Sequence, residues 1–247
     1  MSVSKSKFVL NMNNQTKQKS IPEHIVLFPD GNRRWAREHG TSIPEGYLKG
    51  KEKFAQFFRW CKDRHVKVVT VFGFSTENWN RPKEEVDFLM ELFEYYLSDQ
   101  KELESFRREG AKVRVIGQRE MLSPTLQQVI LYLEDYTKEG KEIELNLAVS
   151  YGGRWDIVHA VRQIVRAGLK PEEITEETFA SYLSTAGQPY PDLIIRVGGE
   201  HRLSNFVLWQ AAYAELYFCP KYWPAFEEQD FQEAIDEFAR RQRRFGK

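Results

Sequence analysis

One recurring order constrains this chain more than any other feature. A short apolar run is followed by a polar or glycine-bearing segment, and then by residues at helical spacing. Apolar runs occur at Ile25–Phe28, Val68–Phe74, Lys112–Ile116, the alternating Ile143, Leu145, Leu147 and Val149, Leu193–Val197, and Glu215–Phe218. Helical faces lie between them: Phe54, Phe57, Phe58 and Cys61; a long stretch from about Lys83 to Arg107; Leu126, Val129, Ile130 and Leu133 behind Ser123-Pro124; Ile157, Val158, Val161, Ile164 and Val165; and Phe231, Ala234, Ile235 and Phe238. Strands that alternate with helices predict an α/β domain with a mostly parallel sheet of about six strands flanked by helices. No repeat or low-complexity linker divides the chain. Residues 1–20, rich in Ser, Asn, Lys and Gln, read as a disordered tail, and 21–247 as one domain.

Ligands of open α/β sheets bind beyond the carboxyl ends of the strands. The unusual polar segments all follow strands, so they gather at one rim. Asp30-Gly31-Asn32-Arg33-Arg34 follows the first run. Backbone N–H groups at a helix start, with two arginines beside them, attract an anion. Asp30 would repel a phosphate unless a cation stood between them, which points to Mg²⁺. The plain alternative is a solvated charge cluster at a turn. Arg196, Arg202 and the Ser204 hydroxyl, with Gly198 and Gly199 nearby, form a second anion cradle. Glu215 within an apolar strand needs either a basic partner, such as Arg196 or Arg202, or a metal.

Composition excludes some classes. Lys+Arg and Asp+Glu both total 36, so the basic bias of a nucleic-acid binder is missing. No apolar run approaches the ~20 residues of a spanning helix, and the polar N-terminus lacks a signal-peptide pattern. Cys61 and Cys219 read as core residues, not a disulfide framework. The expectation is a cytoplasmic protein.

The stretch Asp30-Gly31-Asn32-Arg33-Arg34-Trp35-Ala36 resembles the first signature of the cis-prenyltransferases of the undecaprenyl diphosphate synthase type. Phe74-Ser75-Thr76-Glu77-Asn78-Trp79-Asn80-Arg81-Pro82 resembles the second, and Asp192 to Phe206 the third. Tyr151-Gly152-Gly153-Arg154-Trp155-Asp156 and Arg244-Phe245-Gly246 are similar to further family elements. The resemblance implies Mg²⁺-dependent condensation of isopentenyl diphosphate with an allylic primer (dimethylallyl, geranyl or farnesyl diphosphate) to a cis-prenyl diphosphate. It implies catalytic roles for Asp30, Asn32 and Asn78, and allylic diphosphate binding by Gly31, Asn32, Arg33, Arg34 and Tyr47. Trp35, Phe74, Ser75, Glu77, Trp79 and Arg81 would position substrate. Arg196, Arg202, Ser204, Arg244 and Gly246 would bind isopentenyl diphosphate, with the last two reaching across a homodimer. Asp30 and Glu215 would hold the metal; for His201 a structural role is expected. An apolar tunnel beside the sheet would take the growing chain. A stripe through Phe88, Leu92, Tyr95 and Tyr96 is assigned to its wall, and Val86, Leu89, Met90, Phe93 and Leu97 to docking on the sheet. Peripheral membrane contact would serve product release.

The sequence departs from the family at one place. Where the family commonly carries Arg and then Gly-His-x-x-Gly, this chain has Ile43 and Gly46-Tyr47-Leu48-Lys49-Gly50. Ile43 cannot contact a diphosphate; Lys49 or Arg37 are candidates to compensate. A Tyr there resembles members that make short chains. Two alternatives follow: a same-fold enzyme making irregular or cyclised short prenyl diphosphates, and a non-catalytic partner subunit.

Overall fold

The computed structural model describes residues 21–241. The expected N-terminal tail, Arg244 and Gly246 lie outside the described residues. Six parallel strands form one sheet in the order β3-β4-β2-β1-β5-β6: β1 His24–Phe28, β2 Val68–Ser75, β3 Ala111–Ile116, β4 Ile143–Tyr151, β5 Leu193–Arg196 and β6 Glu215–Phe218. Among the described residues eight α-helices accompany them: α1 Asn32–Glu38, α2 Ile43–Asp63, α3 Lys83–Ser98, α4 Gln100–Arg108, α5 Pro124–Thr137, α6 Gly153–Arg166, α7 Glu176–Ala180 and α8 Glu228–Arg240. The six expected strands are all present, within a residue or two at their ends.

The pleat divides the central strands between two cores. Ile25 and Leu27 of β1, with Leu193 and Ile195 of β5, join Phe57 and Phe58 of α2, Leu89 of α3 and Leu126 of α5. Val26, Phe28 and Ile194 point the other way, onto Tyr151, Phe206 and Val207. Burial on both faces explains why these strands read as continuous apolar runs. The connection after β1 runs to β2 on one side, whereas that after β4 returns past β1 to β5 on the other. The crevice beyond β1 and β5 is therefore the topological switch point, where ligands of such sheets bind.

The expected single helix from Lys83 to Arg107 is two helices. Asp99, in an extended conformation, ends α3, and its carboxylate accepts from the backbone N–H of Lys101 (2.8 Å) and Glu102 (3.2 Å) to start α4. An aspartate that caps a new helix competes with continuation of the old one. The sequence offered no Gly or Pro to mark the break.

Candidate active site

A cavity of about 960 Å³ opens at the switch point and runs from the polar rim to an apolar interior. Asp30, Gly31, Asn32, Arg33 and Arg34 line its mouth with Ser75, Glu77, Asn78 and Arg81, and with Arg196, Arg202 and Ser204. The polar segments expected at one rim do meet there, Arg154 of the Tyr151–Arg154 segment included.

Asp30 and Arg196 form the centre. Arg196 is 4% exposed, and its Nη2 donates to Asp30 Oδ2 at 3.1 Å. Its Nη1 donates to Ser204 Oγ at 2.8 Å and to the Arg202 carbonyl, while the buried Nε has no partner. Burial lowers the Arg196 pKa, and the Asp30 charge opposes that shift. Arg34 bridges two carboxylates, Asp30 Oδ1 at 3.3 Å and Glu200 Oε1 at 3.1 Å, with its guanidinium over the Tyr222 ring. Arg202 pairs with the other Glu200 oxygen. Gly31, at φ +99°, packs so tightly on Tyr222 that an added Cβ would lie 2.6 Å from the ring. Asn32 Nδ2 donates to the Pro29 carbonyl at 3.2 Å, and its buried Oδ1 has no partner. Gly50 of α2 gives that amide room: a Cβ there would stand 2.3 Å from Asn32 Oδ1.

A second cluster surrounds Glu85 in the first turn of α3, whose side chain is 9% exposed. It pairs with Arg33 (3.2 Å) and Arg81 (3.0 Å) and accepts from Tyr47 (2.9 Å), whose hydroxyl also accepts from Arg81 Nη1 at 2.9 Å. Burial pushes the Tyr47 pKa up to about 12. Ser75 opens the following 3₁₀ turn, Thr76–Asn80, with a reciprocal cap: its Oγ accepts from the Asn78 N–H, and Asn78 Oδ1 accepts from the Ser75 N–H.

Some expected residues stand elsewhere. Glu215 is level with Leu193 and hence with Ile25, at the start of the strands, whereas Asp30 lies past their far end. Five residues of extended chain separate those levels by on the order of 15 Å, and Glu215 pairs with Arg241 at 2.9 Å. Within one chain Glu215 is therefore not a co-ligand of Asp30; Glu200 is the carboxylate that shares Arg34 with it. Trp35 stacks on His39, which caps its helix, and does not line the cavity. Trp79 stands behind the wall, edge-on to Phe74, and donates to Ser150 Oγ at 2.9 Å. His201 stacks on Phe218. Of the two residues thought able to compensate at Tyr47, Arg37 lines the cavity, whereas Lys49 pairs with Glu52 at the surface.

The apolar wall also differs from the expected stripe. Leu92 and Tyr96 line the cavity, but Phe88 packs near Tyr47 and Tyr95 is 61% exposed. Leu89, Phe93 and Leu97, expected only to dock the helix, face the interior with Phe54 and Phe58 of α2, Phe106 of α4, and Val113, Leu145 and Leu147 of the sheet. The cavity lies between α3 and the sheet, so the docking face and the lining face are the same face. Helical periodicity finds an apolar face but does not say whether protein or a void lies opposite. Glu85, Glu200 and Asn205 were also missed. Each sits inside or just beyond a recognised signature, yet only its partners in space single it out.

No metal cage of three or more His, Cys, Asp or Glu side chains exists among the described residues. Mg²⁺ is commonly held by one or two carboxylates together with substrate phosphates and water. Asp30, facing the cavity beside arginines that suit phosphate, fits that pattern.

Comparison with known proteins agrees with this geometry. The pattern of a family described as "Putative undecaprenyl diphosphate synthase" matches residues 28–246. A tritrans,polycis-undecaprenyl-diphosphate synthase (geranylgeranyl-diphosphate specific) of Methanocaldococcus jannaschii is 44% identical over 237 residues, 92% of this chain and 84% of that protein. A ditrans,polycis-undecaprenyl-diphosphate synthase ((2E,6E)-farnesyl-diphosphate specific) of Legionella pneumophila is 44% identical over 230 residues, 92% of this chain and 96% of that protein. The crystal structure of lavandulyl diphosphate synthase from Lavandula x intermedia in complex with dimethylallyl diphosphate superposes with a TM-score of 0.87 at 35% identity, covering 92% and 99% of the two chains. With its parallel sheet, its rim of arginines around Asp30 and these relatives, the chain belongs to the cis-prenyltransferase family and is a prenyl transferase.

Proposed function

We propose that this chain condenses isopentenyl diphosphate with an allylic diphosphate primer, such as dimethylallyl, geranyl or farnesyl diphosphate, to give a cis-prenyl diphosphate. The observation that carries this reading is a single cavity with two groups of arginines at its mouth and an apolar interior behind them. Two diphosphates and one growing hydrocarbon chain require that combination.

In this reading Gly31, Asn32, Arg33 and Arg34 hold the primer diphosphate. Arg196, Arg202 and Ser204 hold that of isopentenyl diphosphate. Bound Mg²⁺, held by Asp30 and the phosphates, would offset negative charge on the leaving diphosphate. Arginines fixed before substrate arrives stabilise the same charge without reorganising. As the primer C1–O bond breaks, C1 becomes electron-poor, and the double bond of isopentenyl diphosphate forms the new C–C bond. A proton leaves to give the new double bond. Asn32 and Asn78 orient these groups, since an amide is no base near neutral pH, and a phosphate oxygen receives the proton. Phe74 and the α3 face exclude water from the electron-poor carbon.

The relatives at 44% identity include both geranylgeranyl- and farnesyl-specific enzymes, so overall similarity does not select the primer. Pairing of Tyr47 with Glu85 and Arg81, and the likeness to a lavandulyl diphosphate synthase, favour a second reading: irregular or cyclised coupling of short units. Purified chain, Mg²⁺, labelled isopentenyl diphosphate and primers of different length, with products sized by mass spectrometry, separate the two. Only elongation consumes several equivalents. No turnover at all would leave the non-catalytic subunit and sink both.

The reading includes a homodimer. Val158, Val161 and Val165 lie exposed on one face of α6, and Tyr190 and Tyr213 are exposed as well, which supports a covered surface. The Arg244–Gly246 element would reach the partner's isopentenyl site, and sedimentation of the full chain tests the assembly. A cytoplasmic enzyme with peripheral membrane contact for releasing an apolar product completes it. No helix among the described residues is long and apolar enough to cross a membrane.

A further inference from the structure

Three polar segments approach one another at the cavity mouth, and one side chain joins all of them. Asn205 Nδ2 donates to Glu77 Oε1 at 2.7 Å. Its Oδ1 accepts from the Arg154 backbone N–H at 2.9 Å, and its own carbonyl accepts from the Gly153 N–H at 2.5 Å. Only this orientation of the amide works: turned over, it would set an oxygen against a carboxylate and an NH₂ against an N–H. Arg154 stands in the first turn of α6, where backbone donors lack intrahelical partners. Gly152, at the N-cap position, has no side chain to serve them, so Asn205 caps the helix from another segment.

The surroundings are built for this approach. Asn205 has φ +62° and follows Ser204 at φ +46°, a left-handed pair that Asn tolerates better than most residues. A Cβ on Gly152 would stand 2.6 Å from Thr76 Oγ1 and 2.8 Å from Asn205 Nδ2. The Gly152-Gly153 pair therefore lets the 3₁₀ turn and the Asn205 loop close on the end of β4. Burial tends to raise the Glu77 pKa, but hydrogen bonds from Asn205 and from its own turn outweigh it, so Glu77 is held ionised. Ser204, next in the chain, accepts from Arg196, which pairs with Asp30. Hydrogen bonds and one peptide link thus connect the turn carrying Asn78, through Glu77, Asn205, its chain neighbour Ser204 and Arg196, to Asp30.

We propose that Asn205 is a positioning residue that locks the substrate-positioning turn Thr76–Asn80 to the Arg196–Ser204 anion cradle, so that the two assemble as one unit. It does this through Glu77 and Ser204. The role rests on the two-diphosphate reading above.

The test reverses the donor and acceptor of one bond. Asn205→Asp keeps the acceptor for Arg154 and the left-handed backbone but places a carboxylate against Glu77. Glu77→Gln alone keeps an oxygen for Asn205 to donate to. In the double variant the Gln amide donates to the new carboxylate. Expected for Asn205→Asp is a rise in KM for both diphosphates and a loss of about tenfold or more in kcat/KM, with Glu77→Gln, which carries its own loss, serving as the reference for the double variant. The double variant should return to within about threefold of Glu77→Gln. Losses that simply multiply in the double variant, or an Asn205→Asp enzyme with unchanged KM values, overturn the proposal. If Asn205→Asp does not fold, Gly152→Ala presses the same junction from β4 without changing charge. It should raise both KM values, and unchanged values overturn the proposal equally. Turnover by the unsubstituted chain is read in the same series: its absence sinks the prenyl-transfer reading, whereas turnover without coupling sinks only the role of Asn205.

Discussion

Replacing Asp30 by Asn removes one charge and almost no volume, so its consequences separate cleanly. Oδ2 of Asp30 faces the guanidinium of Arg196, which is 4% exposed, at 3.1 Å, and Oδ1 faces Arg34 at 3.3 Å. Loss of one partner from a fully buried ion pair costs about 3–5 kcal/mol. The Asp30 side chain is 38% exposed, so water screens the pair, and about 1–2 kcal/mol of stability is the expected loss. The fold therefore feels this substitution, although from sequence alone Asp30 serves only the site. Turnover falls further: one electrostatic stabiliser is worth about 10²–10³ in kcat, or ~3–4 kcal/mol of barrier. Urea unfolding and steady-state turnover across a Mg²⁺ titration read the two effects. Isopentenyl diphosphate should restore part of the lost stability, since its phosphates would bring negative charge back to Arg196. Near-normal turnover at saturating Mg²⁺ would refute the assignment of Asp30 to the metal. An unchanged unfolding midpoint would refute the account of Arg196.

Arg202→Ala should raise KM for isopentenyl diphosphate more than KM for the primer, because Arg202 stands with Arg196 and Ser204; the reverse result would exchange the two cradles. Phe93→Ala and Phe106→Ala should shift the product ladder upward, because both rings face the cavity interior, while Tyr95→Ala should leave product length unchanged; equal ladders for all three would remove the cavity from chain-length control. His24 predicts an acid-sensitive fold: burial lowers its pKa from 6.5 to about 4, so its contribution is whole above pH 6.5 and is lost as pH falls towards 4, where the unfolded chain takes a proton that the folded chain refuses. That loss is about 3 kcal/mol at ~1.36 kcal/mol per pKa unit, and the stability advantage over His24→Gln should shrink by that amount between pH 7 and pH 4; an advantage independent of pH refutes it.

The sheet was legible because both of its faces are buried. Strands such as Ile25–Phe28 are then apolar at every position, and helical spacing shows in most of the stretches between them. The rim was legible because topology alone carries Asp30, Ser75 and Arg196 to the same end of parallel strands. What escaped depends on three-dimensional partners. Asp99 breaks a helix by capping the next one, a choice that local propensity leaves open. Phe93 and Phe88 are the same residue type on one helix, yet only Phe93 meets the void. Glu215 looked like a metal ligand because it is acidic in an apolar strand, and register then places it at the wrong end of the sheet, against Arg241.

The replacement at Tyr47 shows how a local loss is absorbed by its neighbours. Read alone, a Tyr in place of His removes a charge from the primer site. In space its hydroxyl donates to Glu85 and accepts from Arg81, so it fixes the Arg81 guanidinium. Glu85 also fixes Arg33. Two flexible cations are thereby held at the cavity mouth before any ligand arrives, which reduces the side-chain entropy lost on binding. With its pKa at about 12, Tyr47 keeps this role unchanged across neutral pH, whereas a His there would alternate between charged and neutral forms. The positive charge beside Tyr47 then comes from Arg33 and Arg81, and the hydroxyl orients it without adding to it.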